Sequence, residues 1–145
     1  PKLFVDDYRE KAEINRLVHW FDVIFKKEVF DPIIYEKVFS RIVGNITPNS
    51  ENIRAALNNL DFHIQYFNYL LNSKNYFIKD DLTYLDYLAA ANLSVFDYLG
   101  LLNLKGYENI KEWYSKIKSR PSFKTLLKDQ IVGLNPHQNY QNIDI

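Results

Sequence analysis

Three histidines, two adjacent aspartate pairs and one Thr-x-x-Asp are the groups in this sequence whose types and spacing could do chemistry. His19, His63 and His137 are dozens of residues apart and share no ligand spacing, so no metal site is expected. Asp6-Asp7 and Asp80-Asp81 offer paired carboxylates for acid–base work. Both pairs precede helix starts, however, where an acid meets the positive end of the helix dipole, and capping is the favoured reading. The absence of cysteine excludes thiolate catalysis, disulfides and cysteine-rich zinc sites, and fits a reducing compartment. No glycine-rich phosphate loop and no Ser-His-Asp grouping can be assembled. What remains is Thr83-Tyr84-Leu85-Asp86, and its chemistry is structural. Thr83 is an N-cap and Asp86, three residues on, reaches back to the cap N–H, with Leu82 and Tyr87 as a hydrophobic staple.

This box opens a helix that ends at Gly100 and is apolar nearly all round. Leu85, Leu88, Ala89, Val95, Phe96 and Leu99 fill one wide face, and Tyr84, Tyr87, Ala91 and Tyr98 cover much of the other. Such a helix is surrounded by other elements, so it reads as a buried central pillar. Ahead of it, Asp6 or Asp7 caps a first helix running to about Val29, where Asp31-Pro32 breaks it. Its core stripe is Ile14, Leu17, Val18, Phe21 and Phe25. Trp20, Val23 and Ile24 form a second stripe beside Arg16 and Lys27, suited to a subunit interface or a ligand pocket. A short second helix begins at Pro32 and stops at Gly44. Thr47-Pro48 starts a third, with Ile53, Ala56, Leu57, Leu60, Ile64, Phe67 and Leu71 inward and Phe62, Tyr66 and Tyr69 together on the other side, as at a partly wet interface. After the pillar, Tyr107 to Ser119 is amphipathic, with Ile110, Trp113, Tyr114 and Ile117 inward. Arg120-Pro121 ends that helix, and Ser122 caps a last short one. Residues 129–145 form an extended tail whose apolar points, Ile131, Leu134, Tyr140, Ile143 and Ile145, suggest docking. Strand alternation is absent. The expected fold is all-α, a bundle of about six helices around the buried central one.

Composition supports one domain over residues 1–145. A chain of this length buries roughly 70% of the surface it exposes when unfolded. With 18 acidic and 18 basic side chains, nothing attracts a polyphosphate backbone over long range, so no nucleic acid partner is expected. No run approaches the ~20 apolar residues of a membrane span, which predicts no membrane partner and a cytoplasmic location. The opening Pro1-Lys2-Leu3-Phe4, without an initiator methionine, reads as the start of a piece of something longer.

Taken together, these residues resemble the C-terminal helical domain of the cytosolic glutathione transferases. The carriers are the Thr83-Tyr84-Leu85-Asp86 box opening a buried helix, and Trp113 through Phe123, which looks like that family's tryptophan-then-Arg-Pro segment. The double-striped first and third helices fit as well. Lys79-Asp80-Asp81 ahead of the box and Leu85 within it depart from the family's usual glycine and alanine, which bears on subclass. The opening Asp7 to Glu13 with Trp20-Phe21-Asp22, and the ending His137 to Ile145, most resemble a proteobacterial branch. It includes glutathione-transferase-like cell-division proteins that bind the tubulin-like ring protein.

The resemblance implies a homodimer, built partly on Phe62, Tyr66 and Tyr69. It also implies an electrophile pocket with Arg16, Trp20, Val23, Ile24 and, through a folded-back tail, Tyr140, although core or interface packing is the commoner role for such a stripe. Glutathione would be the co-substrate, held mainly by an N-terminal thioredoxin-like domain that this chain lacks, so the chain alone is expected to be inactive and to contain no catalytic residue. The implied function is the electrophile-pocket wall and dimer interface of a bacterial glutathione transferase acting on small electrophiles. The alternative is a non-catalytic adaptor of the same fold that binds a protein partner.

Overall fold

The computed structural model describes residues 2–144. Five helices and one 3-10 turn make up the fold, and among the described residues the one β contact is an isolated bridge between Ile131 and Leu134. The first, α1, starts where Asp7 accepts from the N–H groups of Arg9 and Glu10. It is α-helical over Tyr8–His19, π-helical over Trp20–Phe30, α over Asp31–Ile33, π over Ile34–Phe39 and α again over Ser40–Val43. The expected break at Asp31-Pro32, and with it the separate second helix, is therefore corrected. Proline lacks an N–H, and the turns that lead into it are π, with Asp31 N–H on Lys26 O five residues back. The helix runs on through Pro32, and the Asn59 side-chain amide donates to Glu28 O at 3.1 Å, which ties α1 to the following helix. Mixing α and wider π turns averages roughly four residues per turn. That is why Leu17, Phe21, Phe25, Val29 and Ile33, each four apart, all stay buried. Gly44, with φ +81°, ends α1 as expected.

Helix α2 spans Ser50–Leu70 and is capped by Asn49, whose side chain accepts from the N–H groups of Glu51 and Asn52. Thr47 is thus not the cap; the asparagine nearest the helix takes that role. Its inner face is the expected one, with His63 buried among it. The pillar, α3, spans Tyr84–Tyr98. Leu85, Ala89, Ala90, Leu93 and Phe96 are wholly buried, each large one contributing roughly 1.5–3 kcal/mol. Helix α4 spans Glu108–Lys118 and α5 spans Pro121–Lys124, the latter capped by Arg120 and not Ser122 because Pro121 already occupies the first helical position. A 3-10 turn over Leu126–Lys128 leads into the tail. The tail docks, with Leu134 and Tyr140 buried and Ile143 half-buried, but Ile131 is exposed. Ile145 lies outside the described residues.

Candidate functional site

Asp86 joins three parts of the fold. Its Oδ2 accepts from Thr83 N–H at 2.9 Å and from the Thr83 hydroxyl at 3.2 Å, and its Oδ1 accepts from Phe77 N–H at 3.0 Å and Trp113 Nε1–H at 3.0 Å. The capping box is formed, and it also ties the loop before α3 and the tryptophan of α4. A second buried carboxylate, Asp97, accepts from Lys118 Nζ at 2.8 Å and the Tyr114 hydroxyl at 2.9 Å. Burial, then the charge of Asp97, pushes the Tyr114 hydroxyl far up, so it stays a phenol and a donor. Trp113 and Tyr114 were expected inward; their carboxylate partners were not, because nothing local in sequence links α3 to α4.

The second stripes of α1 and α2 meet in an aromatic surface. Trp20 Nε1–H donates to His63 Nδ1 at 2.9 Å, and His63 Nε2 lies 2.8 Å from Glu28 Oε2. An Nδ1 that accepts places the ring proton on Nε2, toward Glu28. The Trp20 ring lies 4.9 Å from that of Tyr66, whose face also carries the Arg16 guanidinium at 6.0 Å. Arg16 is held by Glu13 through contacts of 2.6 and 2.9 Å, which raise its pKa further. Thus Arg16, Trp20 and Tyr66 are brought together. Ile24 is half-buried, and Val23, Phe62 and Tyr69 are exposed.

A different set of side chains encloses a pocket of about 250 Å³. Its walls are Ile34 and Val38 of α1, Ser94, Val95, Tyr98 and Leu99 of α3, Leu126, and Asp129, Gln130, Ile131 and Tyr140 of the tail. Of the sequence-predicted pocket residues Tyr140 lines it, whereas Arg16, Trp20, Val23 and Ile24 do not. The tail makes a fixed wall: the Tyr98 hydroxyl donates to Leu134 O and accepts from Ile131 N–H, while His137 N–H donates to Tyr98 O at 2.8 Å. Gly100 permits this twice over. Its φ is +71°, and an added Cβ would stand 2.6 Å from the His137 ring. Ile34 and Val38, like Val95 and Leu99, carry a signal at spacing four. Leu126 and Ile131 carry none, since the path of the tail decides their place.

Chemically the pocket is a hydrocarbon cleft. The Ser94 hydroxyl donates to Ala91 O at 2.7 Å, and burial raises the Tyr140 hydroxyl, keeping it protonated. Asp129 is the one charged side chain on the wall, so the pocket does not fit glutathione with its two carboxylates, and it suits a neutral apolar group. Among the described residues no group of three or more His, Asp or Glu is placed to hold a metal ion, and no helix is long and apolar enough to cross a membrane.

Residues 36–130 match the family described as glutathione S-transferase, C-terminal domain. The chain belongs to that family. Over 144 residues, 99% of its length, it is 35% identical to FtsZ-localized protein A of Caulobacter vibrioides, covering 63% of that protein. It is similar to the structure of a glutathione S-transferase from Rhodospirillum rubrum, with 37% identity and a TM-score of 0.93, covering 100% of this chain and 65% of that one. It is also similar to that of FzlA from C. crescentus, with 35% identity and a TM-score of 0.95, covering 100% and 64%. The glutathione S-transferase C-terminal domain described here therefore spans just under two thirds of each of these relatives.

Proposed function

We propose that this chain is the helical domain of a glutathione S-transferase-like adaptor that binds a protein partner at the bacterial division ring. The observation that carries the reading is its 35% identity, over 99% of the chain, to a protein named for its localisation with FtsZ. The pocket agrees with binding more than catalysis, because its Ser94 and Tyr98 hydroxyls are already donated to backbone carbonyls. In this reading the protein is cytoplasmic and a homodimer, with Trp20, Phe62, Tyr66 and Tyr69 on the self-contacting face and the docked tail available to the partner. A fluorescent fusion of the full-length protein should collect at midcell and disperse when FtsZ is depleted. Uniform fluorescence in cells with intact FtsZ rings would contradict it. Deleting residues from Asp129 onward while retaining localisation would remove the tail from the partner surface.

The apolar walls of the pocket support a second reading, conjugation of glutathione to a small electrophile. Glutathione would then be held by residues outside this chain, and Val95, Leu99 and Tyr140 would position the electrophile. In that case the full-length protein turns over a chlorinated dinitrobenzene, and Val95→Trp, which fills the pocket, lowers kcat/KM by about tenfold or more. No turnover and no retention on immobilised glutathione would remove this reading.

A further inference from the structure

The hydrogen bond between Trp20 and His63 can exist in only one charge state of the imidazole. His63 is buried among rings, 5.6 Å from that of Trp20, 5.2 Å from that of Phe25 and 6.1 Å from that of Phe67. Its Nδ1 accepts from the Trp20 indole at 2.9 Å, and its Nε2 stands 2.8 Å from Glu28 Oε2. An indole N–H donates and does not accept, whereas a protonated imidazole donates from both nitrogens. A proton on Nδ1 therefore sets two donors against each other on the Trp20 side. On the other side the Glu28 carboxylate still accepts from Nε2 and now faces a cation, which strengthens that bond.

The carboxylates packed nearby are engaged elsewhere. On α1, Glu13 holds Arg16, and buried Glu36 accepts from Asn49 N–H and the Asn52 side-chain amide. On α2, Asp61 accepts from the Tyr107 hydroxyl and the Gln65 amide. The nearby cations, Arg16 against the Tyr66 ring and Lys27 beside Glu28 on the rim of a cleft, cannot accept. From α3 the approach is a ring, Phe96 against Phe25. A buried donor without an acceptor is costly, so the ring takes up charge as Trp20 moves aside and water replaces it. Trp20 is half-buried and lies 4.9 Å from the Tyr66 ring, so its movement alters the surface where the second stripes of α1 and α2 meet.

We propose that protonation of His63 expels the Trp20 indole from its hydrogen bond and gives the aromatic face shared by α1 and α2 a second arrangement, favoured in acid. The exchange stands on this geometry alone. It rests on the homodimer reading for its consequence, a self-contact that weakens as pH falls.

The test is proton–nitrogen NMR of the 145-residue chain titrated from about pH 8 to about pH 5, the range in which imidazoles change charge. Two tryptophans give two indole signals, and Trp20→Phe assigns them. The Trp20 signal should move toward that of a water-exposed indole in step with protonation of the His63 ring nitrogens, while the signal of Trp113, bonded to Asp86 in the core, persists. His63→Gln can accept from Trp20 and donate to Glu28 without taking up charge, so it should hold the Trp20 signal still. His19→Gln, at an exposed neighbour, should leave the movement intact. A Trp20 signal that stays fixed in the native chain, moves out of step with His63 or still moves in His63→Gln overturns the proposal. Movement abolished by His19→Gln also overturns it, as does loss of the Trp113 signal together with that of Trp20, which is unfolding. Sedimentation of the full-length protein separates the consequence from the exchange. A dimer dissociation constant about fivefold or more larger at the acid end, and unchanged across the range in His63→Gln, supports both. An unchanged constant with a moving indole supports the exchange and removes the self-contact from this face.

Discussion

Asp86 has no exposed surface, yet its carboxylate accepts from Thr83, Phe77 and Trp113 at once. Each donor left unpaired in the interior costs about 1–3 kcal/mol, so Asp86→Ala should lower unfolding stability by roughly 3 kcal/mol or more in urea titrations, well beyond an ordinary cap. Burial is the largest influence on this carboxyl and lifts its pKa above the ordinary 3.8, against the pull of those hydrogen bonds. A group lifted on folding contributes fully below its unfolded value and loses that contribution as pH rises through the folded one. The stability of the native protein minus that of Asp86→Asn should therefore fall with rising pH across that window; a flat difference would contradict the burial argument. At Asp97 the logic is that of a buried pair. Lys118→Met leaves the carboxylate unpaired and should cost about 3–5 kcal/mol, and adding Asp97→Asn should restore much of it in the same titration.

At the scale of elements, α1 is tied to α2 just before Pro32 by the Asn59 amide on Glu28 O. Asn59→Ala, which removes that bond, should cost about 1 kcal/mol in thermal unfolding. Gly100→Ala meets both a left-handed backbone and the His137 ring. It should cost about 1–2 kcal/mol and open the tail to limited proteolysis. The all-α class, the pillar, its box and the core stripes were legible because spacing and caps are local signals. The continuity of α1 was not, since the π turns that carry it into Pro32 have no local sequence signal. The pocket was half legible for the same reason. Tyr140 is marked as an apolar point of the tail, but its company of Ile34, Val38 and Val95 depends on where the tail lies, and Trp20 was drawn instead toward His63 and Tyr66.

Across the whole molecule, a scaffold held by the buried carboxylates of Asp86 and Asp97 displays an apolar pocket closed by the tail and an aromatic face shared by α1 and α2. Sedimentation of the full-length protein should give a dimer, and Tyr66→Glu, placed at the aromatic face, should shift it toward monomer; an unchanged dimer would move the self-contact elsewhere. In the adaptor reading proposed above, these surfaces serve binding on a glutathione S-transferase C-terminal domain. The most direct test of that claim is co-sedimentation of the purified full-length protein with FtsZ polymers from its own organism, in the absence of glutathione. The protein should enter the pellet in a saturable, FtsZ-dependent manner. If it stays in the supernatant at every FtsZ concentration while conjugating glutathione to a small electrophile, the domain belongs to an enzyme and the adaptor account is wrong.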